Sequence, residues 1–234
     1  TRILATLGPA TDAPGMLENL LESGVDVVRL NLSHGQPDDH RQRAAAVRAA
    51  AEKVGREVGI LADLQGPKIR IETFAEGPVE LREGDDFVLD CRADAPAGDA
   101  GRVGVSYLGL PNDVNVGDVL MLDDGLVALE VVKVEAPRIH CRVQVAGKLS
   151  DRKGLNRQGG GLSVDALSDK DRADIRLAAE IEADFLAVSF VRSAQDLHEA
   201  RRLLREAGGE AAIVAKIERA DAIPVLQEII DASD

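Results

Sequence analysis

Two textures alternate along this chain of 234 residues, and the places where they change constrain the fold more than any single motif. Residues 1–65 and about 160–234 read strand, helix, strand, helix. The apolar runs Ile3–Leu7, Val25–Leu32, Val58–Leu64, Phe185–Val191 and Ala211–Ile217 are short and nearly continuous, the pattern of parallel strands covered on both faces. Helical stripes separate them. Met16, Leu17, Leu20 and Leu21 form one, with Thr11 or Asp12 as N-cap, Pro14 in the first turn and Gly24 as the stop. Ala44, Val47, Ala51 and Val54 form a second, ended by Gly55. Ser168 with Asp171, and Ser193 with Asp196, have the spacing of capping boxes, ahead of helices ending near Ala183 and Ala207. Asp221 is expected to cap a last helix through Ile230.

Between about Ile71 and Lys153 that rhythm gives way to short β-rich runs, punctuated at Glu76-Gly77-Pro78, Gly84-Asp85, Gly98-Asp99, Pro111-Asn112 and Gly117-Asp118. This predicts a small all-β domain. Its sharpest hairpin signal is Val119–Leu122, Asp123-Asp124-Gly125 and Leu126–Val134, because Asp-Gly tolerates the positive φ of a tight turn. The expected organisation is a β/α domain over residues 1–70, an inserted β-domain over 71–153, and the β/α domain resumed over 154–234. An insertion after the third strand sits on a βα loop, the rim where such folds bind ligands. Five strands fit either a doubly wound sheet or part of a (β/α)8 barrel. A whole barrel takes about 250 residues, so a barrel here would be cut after about its fifth β/α unit.

Charge and cysteine usage exclude several classes. With 41 acidic against 28 basic side chains, a formal charge of −13, the chain lacks the basic face that a nucleic-acid backbone requires. No apolar run approaches the roughly 20 residues of a membrane span, and no signal peptide is visible. Cys91 and Cys141 are far apart with no Cys or His at metal-ligand spacing, so buried reduced thiols in a cytoplasmic protein are expected. The chain opens inside a strand-like run and stops just after a helix-like one, which leads us to expect a piece of a longer protein.

Polar side chains gather at the C-terminal ends of the strands. In Val27–Ser33 the period of two puts Arg29, Asn31 and Ser33 on one face and Val28, Leu30 and Leu32 on the other. A half-buried Arg has to be paired, and Asp63 at the end of the next strand is available, so an internal ion pair competes with a ligand role. The same period places Lys216 and Glu218 on one face. Ions that close on one strand meet poorly, which favours separate jobs over a mutual pair: Lys216 for a developing oxyanion, Glu218 for Mg²⁺. One carboxylate makes a weak magnesium site, so a second ligand is expected past Asp234. Gly66-Pro67-Lys68-Ile69-Arg70 suits an anionic ligand or a plain hinge. His34 lies at a strand-to-helix turn, while His40, His140 and His198 read as surface or helix-face residues. Neither a GxGxxG fingerprint nor a GxxxxGK[ST] loop occurs, and Gly159-Gly160-Gly161 reads as a connector.

Seven blocks, taken in order, are similar to those of the pyruvate kinase family. They are Thr6–Thr11, Arg29–Gly35, Asp63–Arg70, Asp123-Asp124-Gly125, Lys153–Asn156, Ser189–Arg192 and Lys216-Ile217-Glu218. The resemblance implies a (β/α)8 TIM barrel with a β-domain lid after the third strand, and a C-terminal regulatory domain that these residues do not include. It implies transfer of the phosphoryl group of phosphoenolpyruvate to ADP through an enolate, the last step of glycolysis. By position, Arg29 and Lys216 would be catalytic and bind substrate, and Asn31, Leu32, Ser33, His34, Arg70 and Lys153 would line the nucleotide. Glu218 would ligate Mg²⁺ or Mn²⁺. The lid would hinge near Arg70 and Lys153, with Asp124 either approaching the nucleotide's metal or serving only as a turn residue. K⁺ in this family lies among groups matching Asn31, Ser33, Asp63 and Leu64, in members with Glu after Gly-Pro. Lys68 stands there in this chain, with Leu64, Gln65 and Ile71 nearby, so Lys68 is expected to substitute for the cation and K⁺ not to be required. The complete protein is expected to be a cytoplasmic, allosteric homotetramer, and a chain truly ending at Asp234 to be inactive. Two other readings stay open: another magnesium-dependent barrel enzyme acting on pyruvate or an enolate, and a catalytically dead relative that senses metabolites.

Overall fold

The computed structural model describes residues 1–234, which divide into two compact units: Thr1–Pro67 with Asp165–Asp234, and Lys68–Val164. The chain enters through β1 (Leu4–Thr6), α1 (Met16–Glu22), β2 (Val27–Asn31), α2 (Pro37–Val54) and β3 (Gly59–Asp63). The β-rich unit then supplies β4 (Val79–Leu81), β5 (Asp86–Asp90), β6 (Arg102–Gly104), the one-turn α3 (Leu110–Asp113), β7 (Val119–Leu122), β8 (Val127–Glu135), β9 (Arg138–Val145), β10 (Gly147–Leu149) and β11 (Leu155–Arg157). The first unit resumes with α4 (Asp169–Glu180), β12 (Phe185–Val188), α5 (Ala194–Glu206), β13 (Ala212–Ala215) and α6 (Leu226–Ala232).

In the β/α unit, five parallel strands run in the order β1-β2-β3-β12-β13, which is chain order. A doubly wound sheet reverses its order at a switch point; this one does not, so the sheet is the first part of a singly wound barrel. The apolar core lies between strands and helices. Val28, Leu30, Leu32, Ile60, Ala62, Leu64, Leu186, Val188 and Ile213 pack with Leu21, Val47, Ile175, Ala178, Leu197, Leu204 and Ile229. Sliding β2 by one residue would bring Arg29 into that core and expel Val28, Leu30 and Leu32, at roughly 1.5–3 kcal/mol for each apolar side chain. Register is therefore set by this pattern, and the alternate residues necessarily face the other way.

Helix ends follow the sequence at α2, α4 and α5. Gly55 closes α2 with φ +67°, a left-handed conformation that glycine adopts without a Cβ penalty. Ser168 caps α4 in a reciprocal box with Asp171, and Ser193 forms the equivalent box with Asp196. Two caps differ from expectation. Gly15, not Thr11 or Asp12, precedes α1. The Thr11 hydroxyl is spent on the Gly8 turn, accepting from its N–H at 3.0 Å and donating to its carbonyl at 2.8 Å, while Asp12 is held by Arg43. Asp221 does not cap a final α-helix either. It lies in a 3-10 stretch, Ala220–Val225, and pairs with Arg219; Pro224 lacks an N–H and disfavours a helical residue before it, so α6 starts at Leu226.

The β-rich unit holds a six-stranded sheet, β11-β7-β8-β9-β5-β6, and a separate β10-β4 pair. Phe87, Leu89, Leu120, Leu122, Leu129, Val131, Ile139 and Cys141 fill its core from alternate positions. The predicted hairpin is β7 and β8, paired antiparallel from Val119↔Glu130 to Leu122↔Val127. Its turn places Asp123 and Asp124, as well as Gly125, at positive φ. Both thiols are buried, and burial pushes each up to about 12. The two ends of the unit pair with one another: Ile71 N–H donates to the Lys153 carbonyl and Leu155 N–H to the Ile69 carbonyl, both at 2.9 Å.

Candidate active site

The charged residues of the β/α unit converge because each lies in the C-terminal half of a strand or just past its end, on the face opposite the core. Arg29 on β2 lies opposite Thr6 on β1, and Asp63 on β3 is level with Asn31 and with Ala187 of β12. Lys216 N–H extends the β13 ladder by donating to the Val188 carbonyl at 3.0 Å, which brings its side chain level with Ser189. All of these side chains therefore meet at the C-terminal rim.

Asp63 is the centre of the cluster and is 2% exposed. Arg29 grips Oδ2 through Nε at 2.6 Å and Nη2 at 2.5 Å, and its Nη1 donates to the Thr6 hydroxyl at 3.1 Å. Lys216 Nζ lies 3.1 Å from Asp63 Oδ1 and donates to Ser189 Oγ at 2.8 Å. Asp63 Oδ1 has no partner at hydrogen-bond angle, so the ammonium compensates it by charge alone. Ser189 Oγ donates in turn to the Leu64 carbonyl at 2.6 Å. The internal Arg29–Asp63 pair considered from sequence thus forms, and it fixes the guanidinium while leaving 30% of that side chain exposed at the rim.

Lys216 and Glu218 do meet, contrary to the expectation that two ions on one strand stay apart. The strand stops at Ala215, and the chain beyond it bends so that Nζ lies 3.3 Å from Glu218 Oε1. Glu218 Oε2 accepts from the Phe190 N–H at 3.1 Å. Phe190 has φ +56°, a region that bulky side chains seldom occupy and that clusters at functional loops. Gly66, on the loop after β3, has φ +68°; a Cβ there would lie 2.8 Å from Ser189 Cβ and from Phe190 Cδ2. Only glycine lets these two loops approach so closely.

The turn after β2 carries the other predicted residues of this unit. Asn31 Oδ1 accepts from the Ser33 N–H at 3.1 Å, Leu32 is buried, and His34 is exposed. His40 corrects a second expectation: it is buried, with Nε2 2.8 Å from the His34 carbonyl and Nδ1 without a partner. Burial pushes its pKa below the ordinary histidine value. His140, half-exposed on β9, pairs with Glu135 at 3.1 Å, and His198 is exposed on α5.

In the β-rich unit, Arg70 Nη1 donates to the Arg152 carbonyl at 2.7 Å and Lys153 pairs with Asp123 at 2.9 Å. The two crossings run side by side, Arg70 bridging to Gly154, and Asp123 is the hairpin acid that pairs with Lys153. Asp124 and Lys68 are exposed. Ser189, Phe190 and Asp123 escaped the residue-by-residue reading, since a serine at the end of a strand and one of two adjacent turn acids carry little signal alone.

The whole chain, residues 1–234, matches the family model described as "Pyruvate kinase, barrel domain". The chain belongs to the pyruvate kinase family. It is 53% identical to pyruvate kinase II of Salmonella typhimurium, across all of this chain and 49% of that protein. Identity to the pyruvate kinases of Haemophilus influenzae and Corynebacterium glutamicum is 50% and 42%, again across all of this chain and 50% and 49% of theirs. The chain thus spans about half the length of the pyruvate kinase relatives it matches. Family membership accounts for the β-unit between the third and fourth barrel strands. No helix is long and apolar enough to cross a membrane.

Magnesium chemistry needs hard oxygen ligands, and Mg²⁺ commonly takes one or two carboxylates with the rest from phosphates and water. No group of three or more His, Cys, Asp or Glu side chains is gathered for a metal. Asp63 is buried beneath two cations, whereas the Glu218 side chain is 35% exposed and faces one cation, so of these two carboxylates Glu218 is the one open to a metal.

Proposed function

We propose that the protein containing this chain transfers the phosphoryl group of phosphoenolpyruvate to ADP, giving pyruvate and ATP at the last step of glycolysis. One observation carries the reading: two cations from different strands, Arg29 and Lys216, are clamped on one buried carboxylate with their heads at the rim. Phosphoryl transfer asks for fixed positive charge around a phosphoryl group more than for covalent chemistry. Arg29 orients that group, and Asp63 and Thr6 hold the guanidinium in place. Lys216, aligned by Ser189, opposes the negative charge that develops on the enolate oxygen as the bond to phosphorus breaks. Asn31, Leu32, Ser33 and His34, with Arg70 and Lys153, line the nucleotide. Mg²⁺ or Mn²⁺, held through Glu218, would neutralise phosphate oxygens.

Family membership also supports a cytoplasmic homotetramer under allosteric control. The deciding experiment on the reaction is a coupled assay of the complete protein for pyruvate formed from phosphoenolpyruvate, ADP and Mg²⁺. Turnover that requires all three is expected. A protein that releases pyruvate and inorganic phosphate without ADP, water then taking the phosphoryl group, would be a phosphohydrolase, and one that binds phosphoenolpyruvate without turning it over would be a sensor; either would overturn the assignment.

A further inference from the structure

Where β2 leaves the sheet, the backbone accounting points to a residue on another element. Leu32 N–H donates to the Asp63 carbonyl at 3.0 Å, the last rung toward β3. The Leu32 carbonyl beyond it has no strand partner, and a carbonyl left unpaired at a buried residue is costly. Lys170, on the first turn of α4, donates to it from Nζ at 2.6 Å. The same ammonium donates to Asp174 Oδ2 at 2.5 Å, and Asp174 is only 7% exposed. An exposed lysine–aspartate pair one helical turn apart would be worth about half a kcal/mol and would hold nothing outside its own helix. Here the buried carboxylate fixes the cation, and the cation fixes a main-chain atom on a different strand.

The neighbouring residue acts in parallel. Asp171 is fully buried, shares the α4 cap with Ser168, and accepts the Gly66 N–H at 2.9 Å. The first turn of α4 therefore ties down the loops after both β2 and β3. The remaining groups of the β2 turn are local: His34 N–H donates to the Asn31 carbonyl at 3.3 Å, and the His34 carbonyl faces His40. Lys170 is thus the charged tether from outside the turn.

We propose that Lys170 is a positioning residue for the nucleotide side of the site, acting through the Leu32 carbonyl to hold the turn Asn31–His34. The proposal rests on the phosphotransfer reading for its kinetic consequence. Its selectivity follows from geometry, since Arg29 sits within the ladder and is fixed independently by Asp63 and Thr6. Losing the tether should loosen the nucleotide residues and leave the phosphoenolpyruvate residues in place.

The test compares Lys170→Met, Lys170→Arg and Lys53→Met in the complete protein. Lys53 makes a surface pair with Glu18 between α1 and α2 and serves as the control. Two readouts are taken: amide hydrogen exchange across residues 31–35, and KM for ADP and for phosphoenolpyruvate measured separately. Lys170→Met should speed exchange at Ser33 and His34 and raise KM for ADP by about five- to tenfold, less than the full value of a charge-assisted hydrogen bond because the Lys170 side chain is 45% exposed and acts through the turn, with KM for phosphoenolpyruvate within twofold. Lys170→Arg should restore both, and Lys53→Met should change neither. Unchanged exchange in Lys170→Met would overturn the positioning role whatever the kinetics. Faster exchange with both KM values raised equally, or with kcat alone reduced, would overturn its assignment to the nucleotide side. If the unmodified protein does not turn over phosphoenolpyruvate, the functional reading falls, while the exchange experiment still decides whether Lys170 holds the turn.

Discussion

Arg29 Nη2 lies 2.5 Å from Asp63 Oδ2, so a guanidinium on one strand is fixed by a buried carboxylate on the next. Lys216, from a third strand, shares that carboxylate at 3.1 Å. The cost of burying Asp63 is offset by two cations, and the shared carboxylate holds both cations in one geometry. Such preorganisation is what a transition state rewards, because no reorganisation is then needed at the moment of charge transfer.

Replacing Lys216 with Met should therefore lower kcat about 10²- to 10³-fold while KM for phosphoenolpyruvate changes little, and Arg29→Ala should behave similarly. Steady-state kinetics of the complete protein check this. A rise in KM with kcat preserved would reduce both residues to ground-state binding.

Glu218→Gln separates the metal role of this side chain from its structural one. An amide keeps an oxygen to accept the Phe190 N–H, which is bound at 3.1 Å, so the loop should stay folded. It loses the charge that a hard cation requires. The Mg²⁺ concentration for half-maximal activity should rise at least about tenfold, with an unchanged melting temperature. A magnesium titration that the substitution leaves alone would remove Glu218 from the ligand set.

Gly66→Ala tests the closeness of the two loops. The new Cβ would lie 2.8 Å from Ser189 Cβ and Phe190 Cδ2, at φ +68°. Gly117 also has positive φ, +92°, but nothing lies within 4 Å of its missing Cβ. Both substitutions strain the backbone, and only the first adds a clash. Gly66→Ala should therefore destabilise by roughly 1–3 kcal/mol more than Gly117→Ala, and should lower kcat because Ser189 aligns Lys216. Equal melting temperatures and activities in the two variants would show that the loops have room to spare.

The strands, their faces and the β-rich insertion were legible because each rests on a short-range pattern: period two on β2, capping boxes at Ser168 and Ser193, Asp-Gly in the β7–β8 turn. Whether the strands belong to a doubly wound sheet or a barrel was not, because strand order is a property of long-range pairing. The site was legible as a list of strand-end residues but not as a network. Sequence gives no signal that Asp63 is shared by Arg29 and Lys216, or that Lys170 reaches Leu32 from a helix far along the chain. His40 misled for the same reason: helical spacing says which face it occupies, not that the His34 carbonyl covers it.

His40 gives stability a pH dependence whose sign can be worked out. Burial lowers its folded-state pKa below the ordinary 6.5, and the hydrogen bond to the His34 carbonyl only partly opposes this. Between those two values the unfolded chain binds a proton that the folded chain refuses, so stability is present above about pH 6.5 and is lost as pH falls toward the folded value. Denaturation of the complete protein should show stability declining as pH is lowered from about 7.5 to 5.5, and His40→Gln should flatten that decline. An identical slope in the variant would assign the dependence to other groups.

The last prediction concerns monovalent cations. The oxygens that would form a K⁺ pocket already serve protein donors: Leu64 carbonyl accepts the Ser189 hydroxyl at 2.6 Å, Asn31 Oδ1 accepts the Ser33 N–H, and Asp63 carries Arg29 and Lys216. We expect Lys68, which follows Gly66-Pro67, to supply through its tethered ammonium the positive charge that a cation from solution would otherwise provide. Either source offsets the repulsion between two anionic substrates. The complete protein should be nearly as active in tetramethylammonium chloride as in potassium chloride at matched ionic strength. Lys68→Glu should lower activity in the absence of K⁺ and make it respond to added K⁺, because the substitution removes the internal cation and adds a carboxylate. Strong activation of the unmodified protein by K⁺ would refute this role and leave Lys68 as an exposed charge at the edge of the β-unit.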